Sequence, residues 1–534
     1  MSFVPENRPY AFISVYDKQG LEPLARALSE VYGYGLISTG GTRAFLQERG
    51  VSCIDSETIT GFGDLLEGRV KSLHPDIFAP ILAKRGKAGH ETRFTIDVVV
   101  VNLYPFESAR LTPQATQDPL YLLDYIDIGG SSLIRAAAKN YPAVNVLCDP
   151  AQYDGFLQEL KLGGGHSSLP FRQKLALQAF QRSQAYESAI SQEFERQTSD
   201  AHATPSGNAA GESALPARVT LDLRKIRDLR YGENPHQRAA LYGLGHTQAD
   251  FTQLHGKELS FNNLLDMQAA WALACEFRQS AVCAIIKHNN PCGVALGRNA
   301  ADAYQRAFSV DPLSAFGGVV AFNAPVCAET ARQMKDVFLE VVIAPAFEPQ
   351  ALEILESKKN LRLIQRALPP ADAPAPMDLK PFGAHAFLAQ VADGAVASDI
   401  ADRLREGSLQ AISQRQPTDE QMADLLFAWR VVKHVKSNAI VLAKDGRTVG
   451  LGIGQTSRIG ALEIALRQAC DEAKDAVMAS DGFLPAEDNV AAAAQARVAA
   501  IIQPGGSIKD KDVIALANQS QIAMVATGLR EFRH

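Results

Sequence analysis

The 534-residue sequence has no excess of positive charge, no long apolar run and no paired cysteines. Asp and Glu (59) outnumber Lys and Arg (53), and the formal charge of −6 argues against general nucleic-acid binding, which needs a basic surface. No apolar run approaches the ~20 residues that span a bilayer, and the first residues lack the apolar core of a signal peptide. These absences predict a soluble, cytoplasmic protein and leave room for a local basic pocket that binds a phosphorylated small molecule.

Cysteine spacing and missing motifs exclude several further classes. The seven cysteines are scattered and none forms a Cys-x-x-Cys pair, which predicts reduced thiols rather than a disulfide framework or a structural zinc site. The chain has no Gly-x-Ser-x-Gly elbow and no P-loop, and Pro291-Cys292 lacks the second cysteine of the zinc deaminase signature. Serine hydrolysis, P-loop ATP hydrolysis and zinc deamination are therefore disfavoured.

The length exceeds what one hydrophobic core supports and predicts about three or four domains. The apolar fraction of 46% and the charged fraction of 21% are typical of a globular protein. Residues 198–216 are rich in Ser, Ala, Gly, Asn and Pro, so we predict a linker there, between domains at 1–197 and 217–534. A second Ala- and Pro-rich stretch at 367–376 predicts an exposed crossing between two parts of the C-terminal region.

In the N-terminal region, strands and helices alternate and polar residues follow several strands. A strand predicted at 34–37 leads into Ser38-Thr39-Gly40-Gly41-Thr42 and a helix. Such a turn suits a phosphate, because N–H groups at a helix start face the anion, although many turns use Gly for steric reasons alone. Further polar loops contain Arg69, Lys71 and Ser72, then Asn102, then Asp127 before a helix with Lys139. Together these loops predict one anion-binding cleft.

The segment Lys287-His288-Asn289-Asn290 directly follows the apolar run 281–286. A buried Lys loses its charge easily and His titrates near neutral pH, so the pair suits proton transfer at a strand end. The alternative interpretation is a salt-bridged Lys and a hydrogen-bonded His in an ordinary turn. The dipeptide recurs at Lys433-His434, which suggests an internal duplication.

Taken in order, these motifs resemble the family of bifunctional purine-biosynthesis proteins that combine phosphoribosylaminoimidazolecarboxamide (AICAR) formyltransferase with IMP cyclohydrolase. The resemblance runs from Ser14 to His534. It implies an α/β fold: a methylglyoxal-synthase-like parallel-sheet domain, then a transformylase region of two cytidine-deaminase-like subdomains. It further implies 10-formyltetrahydrofolate as cosubstrate, no catalytic metal, room for a structural monovalent cation, and a homodimer with transformylase sites at the subunit interface.

For formyl transfer, the resemblance makes His288 the base and Lys287 the group that stabilises the transition state. The reaction needs both, because the conjugated AICAR amine is a poor nucleophile and an oxyanion develops on the formyl group. The residues expected to contact the nucleotide or the folate are Arg230, Tyr231, Gly317, Glu340, Asn438, Arg458, Ile459, Phe483, Ser507, Ile508 and Arg530.

For ring closure to IMP, the resemblance makes Lys139 the proton acceptor and Lys71, Tyr104 and Asp127 the other catalytic residues. The residues expected to bind the substrate are Ser14, Asp17, Lys18, Thr39, Gly40, Gly41, Thr42, Arg69, Ser72 and Asn102.

Three positions depart from the family pattern: Tyr16 replaces a common Ser, Ala486 a common Phe, and Glu340 an Asp found in some members. Two alternatives to a bifunctional enzyme therefore stay open. In the first, one half is active and the other is a degenerate scaffold. In the second, the protein is a regulator that senses the purine intermediate. A sensor needs phosphate contacts but not two sets of proton-transfer groups, which weighs against the second alternative.

Overall fold

The computed structural model describes residues 3–63, 72–201, 219, 221, 223–244, 249–370, 378–382, 386–390, 409 and 411–534. The chain divides into two compact units, Met1–Ala209 and Ala210–His534. Among the described helices, none is both long and apolar enough to cross a membrane.

The first unit is built on a five-stranded sheet in the order β3-β2-β1-β4-β5, in which every neighbouring pair is parallel. Its strands are β1 Tyr10–Val15, β2 Gly35–Ser38, β3 Ile54–Asp55, β4 Ile96–Asn102 and β5 Asn145–Leu147. Its α-helices are α1 Leu21–Arg26, α2 Gly40–Glu48, α3 Ser56–Thr60, α4 Pro75–Leu82, α5 Phe106–Ala109, α6 Pro113–Gln117, α7 Ile128–Lys139, α8 Tyr153–Leu162 and α9 Leu169–Ala201. Short π- and 3-10-helical turns lie at Ala27–Val31, Pro119–Tyr125 and Pro150–Gln152.

The hydrophobic pattern explains this sheet. Strands β1 and β4 are continuous apolar runs that are buried almost throughout, as expected for central strands covered by helices on both faces. Helix α9 ends at Ala201, four residues inside the predicted linker, and residues 202–216 of that linker lie outside the described residues.

The second unit contains an eleven-stranded sheet in the order β20-β19-β18-β16-β17-β10-β9-β11-β12-β13-β8. Its strands are β8 Thr252–His255, β9 Ala281–Lys287, β10 Asn290–Gly297, β11 Val319–Phe322, β12 Val341–Ala344, β13 Arg362–Gln365, β16 Ile440–Lys444, β17 Arg447–Gly452, β18 Val477–Ser480, β19 Ala500–Gln503 and β20 Ala523–Ala526. Two separate hairpins, which the sequence reasoning missed, are formed by β6 Leu223–Leu229 with β7 Ala239–Leu244, and by β14 Asp378–Phe382 with β15 Ala386–Gln390.

Helices cover both faces of this sheet. The described α-helices are α10 Phe261–Ala274, α11 Ala300–Phe308, α12 Pro312–Ala315, α13 Ala328–Lys335, α14 Pro349–Glu356, α15 Asp419–Val432, α16 Arg458–Ala469, α17 Asp488–Gln495 and α18 Asp510–Gln519, with a 3-10 turn at Cys470–Ala473. Helices α10 and α15 form one core on one face of the sheet, and the remaining helices enclose two further cores on the opposite face, since these use the alternate residues of the same strands.

The second unit is an internal duplication. Each half has a helix, an antiparallel hairpin and three more strands connected by helices, and the sheet order is symmetric about the β17–β10 pair. The sequence carries the signal as Asp-x3-Ala-Trp, which occurs on α10 (Asp266, Trp271) and 158 residues later on α15 (Asp424, Trp429). The suggested duplication therefore exists, although the two halves share one continuous sheet.

The two Lys-His dipeptides, which suggested the duplication in the sequence, are not part of it. Lys287-His288 lies at the tip of the β9–β10 hairpin, whereas Lys433-His434 follows helix α15. The two dipeptides are not equivalent positions. The prediction that β9 ends at Lys287 is correct, but the strand turns into an antiparallel hairpin and not into the βα loop of a parallel sheet.

Candidate active sites

In the first unit, four polar loops meet at the carboxyl edge of the sheet, where the strand order changes direction between β1 and β4. This is where open α/β sheets bind ligands. Thr42 connects α2 to β1, since its hydroxyl accepts a hydrogen bond from Val15 N (3.1 Å) and lies 3.0 Å from both Val15 O and Lys18 Nζ. The hydroxyl groups of Ser14 and Thr39 lie 3.1 Å apart. The predicted phosphate loop thus packs directly against the end of β1.

Helix α2 begins with the pair Gly40-Gly41, and Gly40 has a positive φ of 40°. The Thr39 side chain does not cap this helix, because its hydroxyl meets Ser14 instead. A Cβ added to Gly41 would meet no atom within 4 Å, so the space over the helix start is open. An open, uncapped helix start is the arrangement that binds a phosphate.

Asn102, at the end of β4, holds the loop that follows β1. Its Oδ1 accepts hydrogen bonds from Tyr16 N (2.6 Å) and Asp17 N (2.9 Å), and its Nδ2 donates to Asp17 O (2.9 Å). The Tyr16 ring lies edge-on to the Tyr104 ring, with centroids 5.7 Å apart. The residue that departs from the family pattern therefore contacts a candidate catalytic residue.

Asp127 caps the start of α7, where its Oδ1 accepts a hydrogen bond from Gly130 N at 2.7 Å. Burial raises the pKa of this carboxyl, and the Gly130 N–H opposes the shift. Burial also raises the pKa of Tyr104, with the negative charge of Asp127 acting in the same direction. The buried Ser72 hydroxyl lies close to the first turn of α7, 2.9 Å from the position of a Cβ on Gly129. A carboxyl that holds its proton more tightly than usual suits acid–base chemistry.

Lys139 is not part of this cluster. It is the last residue of α7 and is exposed, whereas Asp127 caps the first turn. At 1.5 Å per residue the helix separates the two by about 18 Å, which places Lys139 near the opposite edge of the sheet. Within one copy of the chain, the predicted proton acceptor therefore does not share a centre with Asp127. The predicted residues Arg69 and Lys71 lie outside the described residues.

In the second unit, the predicted transformylase residues lie mainly along one edge of the large sheet. The β9–β10 hairpin tip, the start of β11, the end of β17, the start of β16 and the ends of β18 and β19 share this edge, as the strand registers require. A hydrogen bond from Lys436 N to Asn290 Oδ1 (3.2 Å) joins the two halves there. The predicted residues at this edge are Lys287, His288, Gly317, Glu340, Asn438, Arg458, Ile459, Phe483, Ser507, Ile508 and Arg530.

Lys287 is half-buried and donates from Nζ to Phe316 O at 2.6 Å, just before Gly317. His288 is exposed at the hairpin tip. Both residues line a cavity of about 640 Å³. The Glu340 carboxylate is paired with the Arg362 guanidinium, so it is already neutralised before any nucleotide binds.

Arg458 has a different environment from the one predicted. Its side chain is only 6% exposed, and its guanidinium donates to Asp481 Oδ1 (2.5 Å), Ser480 Oγ (2.9 Å) and Asn438 Oδ1 (2.8 Å). A buried, fully engaged guanidinium is better suited to orienting Asn438 than to direct substrate contact. The same contacts compensate the charge of the buried Asp481 carboxylate.

The predicted folate residues are accessible. Phe483 is 40% exposed and Ile508 is fully exposed. Gln503, which the sequence reasoning did not select, is fully buried between their loops, and its Oε1 accepts hydrogen bonds from Leu484 N (3.3 Å) and Gly505 N (3.0 Å). One buried amide thus fixes both predicted folate loops.

Arg230 and Tyr231 lie apart from that edge, directly after β6. The loop that follows them is joined to the start of α10 by a hydrogen bond from Asn262 Nδ2 to Glu233 O (3.2 Å). Arg530 stacks on Phe532 with its guanidinium 4.4 Å from the ring centroid. Both arginines are exposed and available to an anionic ligand. No group of three or more His, Cys, Asp or Glu side chains in the described part of the chain is arranged to hold a metal.

Two family models match the sequence. The MGS-like domain model matches residues 20–129, and the AICARFT/IMPCHase bienzyme model matches residues 137–468. The chain is 45% identical over 533 residues to the bifunctional purine biosynthesis protein PurH of Nostoc punctiforme, covering 98% of this chain and 99% of the relative. The chain belongs to the AICARFT/IMPCHase bienzyme family.

A second relative supports the same assignment. The PurH of Aquifex aeolicus is also 45% identical, over 98% of this chain and 100% of its own length. The solved structure titled "Crystal structure of ForH" is 32% identical over 35% of this chain and all of its own, with a TM-score of 0.32. The family resemblance and the mixed α/β architecture with a parallel N-terminal sheet are thus confirmed. The likeness of the duplicated halves to cytidine deaminase stays a prediction.

Proposed function

We propose that this bienzyme transfers the formyl group of 10-formyltetrahydrofolate to AICAR in the second unit and closes the product to IMP in the first. The observation that carries the proposal is the chemistry of the two sheet edges. One presents Lys287 and His288 at the β9–β10 hairpin tip and, further along the same edge, the exposed Phe483 and Ile508. The other presents an open helix start beside Tyr104 and Asp127.

In formyl transfer, the AICAR amine attacks the formyl carbon, and His288 takes the amine proton as the new C–N bond forms. Lys287 stabilises the oxyanion on the formyl oxygen. Its Nζ keeps two N–H groups after donating to Phe316 O at 2.6 Å. The tetrahedral intermediate then breaks its bond to the folate nitrogen, which leaves with a proton as tetrahydrofolate.

Substrate binding follows from accessible groups of the second unit, both at this edge and in the loop after β6. Arg230 and Arg530 suit the ribonucleotide phosphate, because guanidinium groups bind phosphate oxygens in pairs. Asn438 is oriented by Arg458 and offers its amide to the nucleotide. Phe483 and Ile459 give the pterin a flat apolar wall. Gly317, Ser507 and Ile508 complete the proposed contacts.

In ring closure, the carboxamide nitrogen of formyl-AICAR attacks the formyl carbon and the oxygen of that carbon leaves as water. Phosphate binding at Thr39–Thr42 holds the ribonucleotide with its base toward Tyr104 and Asp127. Two protons must reach the leaving oxygen, one from the carboxamide nitrogen and one from the formamide nitrogen, which ends doubly bonded to the former formyl carbon. Asp127, whose pKa burial raises, accepts each proton and passes it to the oxygen. Tyr104 donates a hydrogen bond to that oxygen. Lys71 and Arg69 remain proposed contributors.

The position of Lys139 leads to a proposal about assembly. Because it lies about 18 Å along α7 from Asp127, it reaches a cyclohydrolase site only if a second copy of the chain supplies it. We therefore propose a homodimer in which the cyclohydrolase site as well as the transformylase site depends on both copies. The proposed domain limits stay 1–197 and 217–534, and the proposed location is the cytoplasm. A structural monovalent cation stays a prediction to which no residues are assigned.

The deciding experiment uses purified protein with AICAR and 10-formyltetrahydrofolate, and follows tetrahydrofolate and IMP by ultraviolet absorbance. The expected result is equal formation of both. His288→Ala should stop folate turnover but still convert added formyl-AICAR to IMP, and Asp127→Ala should accumulate formyl-AICAR. Absence of folate turnover in the unmodified protein would refute the proposed function. Accumulation of formyl-AICAR in the unmodified protein would leave only the transformylase.

A further inference from the structure

The candidate base His288 sits in an unfavourable backbone conformation. His288 and Asn289 form the two-residue turn of the β9–β10 hairpin, with Lys287 paired to Asn290, and their φ angles are 58° and 62°. Two left-handed residues define the hairpin turn that prefers Asn-Gly or Asp-Gly, and a residue with a Cβ such as histidine is strained there. Neighbouring groups must offset this strain.

Asp266 is such a group. It lies in the second turn of α10, and its Oδ1 accepts a hydrogen bond from Asn289 N at 2.6 Å. Burial raises the pKa of the Asp266 carboxyl, and the backbone N–H groups of Asn289 and His288 oppose the shift. Successive N–H groups in a left-handed turn form a concave site for an anion, and here the Asp266 carboxylate fills it. Helix α10 is itself fixed by a capping box at its start and by the buried Trp271.

The duplication provides an internal comparison. Asp424 occupies the equivalent position on α15, and its carboxylate accepts hydrogen bonds from Asp445 N (2.8 Å) and Gly446 N (2.7 Å) in the β16–β17 turn. That turn has the favourable sequence Asp-Gly. The first half keeps the same carboxylate but places His-Asn in the turn. The second half has Asp445, an ordinary turn residue, where the first half has the strained His288. This difference points to a function for the His288 side chain and for the Asp266 carboxylate that holds its turn.

Other groups also surround the turn. Asn290 donates from Nδ2 to His288 O (3.1 Å), a second side-chain contact to the turn. The titratable and charged side chains that line the adjoining cavity are Lys287, Cys292, Asp311 and Arg467. Asp266 is the carboxylate joined by hydrogen bond to the turn itself.

We propose that Asp266 is a positioning residue for formyl transfer: its carboxylate holds the His288-Asn289 turn so that the imidazole faces the substrate. The proposal rests on the proposed role of His288 as the base. It adds a residue to which the sequence reasoning gave no role.

The test compares Asp266→Ala, Asp266→Asn and the matched control Asp424→Ala in the full-length protein, with steady-state transformylase kinetics. Asp266→Ala should lower kcat by about 10- to 100-fold while KM for AICAR changes less than threefold, because a misplaced catalytic group costs rate rather than binding. Asp266→Asn keeps an oxygen acceptor for the Asn289 N–H, so it should retain most of kcat. Asp424→Ala should lose stability without a comparable loss of kcat.

Two results would overturn the proposal. One is equal kcat values for Asp266→Ala and Asp424→Ala. The other is an Asp266→Ala defect confined to KM. His288→Ala tests the proposed base separately, since full transformylase activity in that variant refutes the role of His288 whatever Asp266 does. Fluorescence of the buried Trp271 and Trp429, expected to be native-like in all variants, checks that the second unit is folded.

Discussion

Replacing Glu276 by Gln should destabilise the second unit and remove a specific part of its acid sensitivity. Glu276 follows α10, and its Oε1 lies 2.7 Å from Lys433 Nζ and 3.1 Å from His434 Nε2, just past the end of α15. These contacts join equivalent ends of the two repeats, since Glu276 and His434 are 158 residues apart, as are the two tryptophans.

The magnitude follows from the titration of Glu276. Burial would raise the pKa of this carboxyl, but the hydrogen bond from His434 and the charge of Lys433 outweigh it and hold the pKa at about 2. Burial lowers the pKa of His434 more than Glu276 raises it, so His434 donates as a neutral imidazole. A fall from 4.5 to about 2 corresponds to about 3 kcal/mol of folding free energy at neutral pH.

The sign of the pH dependence is fixed by this lowered pKa. The contribution of Glu276 is fully present above the unfolded value near 4.5 and is lost as the pH falls through about 2. The difference in unfolding free energy between the unmodified protein and Glu276→Gln should therefore be constant from pH 8 to about 5. Below about pH 4.5 it should shrink by up to ~1.4 kcal/mol per pH unit.

Urea unfolding followed by tryptophan fluorescence measures the unfolding free energy of the second unit. The chain's two tryptophans, Trp271 and Trp429, are both buried there, on α10 and α15. At one protein concentration, Glu276→Gln should lower the unfolding free energy by about 2–3 kcal/mol at pH 7. The control Glu472→Gln breaks a half-exposed pair with Arg447 and should cost less than about 1 kcal/mol. A Glu276→Gln loss no larger than the control, or a difference that grows on acidification, would refute the reasoning.

Three further predictions concern the sites. Tyr16→Ser should lower cyclohydrolase kcat several-fold by freeing the Tyr104 ring, whereas Tyr16→Phe should keep the edge-on contact and near-normal kcat; equal kcat values would contradict this role. If Lys139 acts in the cyclohydrolase site of the partner copy, the Lys139→Ala and Asp127→Ala proteins should each be inactive in IMP formation. After their subunits are mixed and exchanged, about a quarter of normal activity should return. No recovery would exclude a cyclohydrolase site built from both copies. Gln503→Leu should raise KM for 10-formyltetrahydrofolate about three- to tenfold with KM for AICAR unchanged, because its buried amide fixes both folate loops; parallel increases in both KM values argue against that assignment.

Sequence reasoning was strongest where a local pattern has one structural outcome. The strand predicted at 34–37 corresponds to β2 Gly35–Ser38, the apolar run 281–286 lies within β9 Ala281–Lys287, and the Gly40-Gly41 turn marked an open helix start. The duplication was inferred from the wrong dipeptides, although Asp-x3-Ala-Trp at Asp266 and Asp424 carried a true signal. A dipeptide is too short to distinguish a hairpin tip from a helix end.

The sequence by itself determined the family, the alternation of strands and helices in the first unit and most of the residues proposed for the two candidate sites, because these depend on local hydrophobic periodicity and on motifs kept in order. Only the tertiary structure decided how distant residues meet. It separated Lys139 from Asp127 along α7, enclosed Arg458 beside Asp481, and set Asp266 against the His288 turn. Those relations depend on strand register and helix length, which fix distances between side chains far apart in the chain and leave no local pattern.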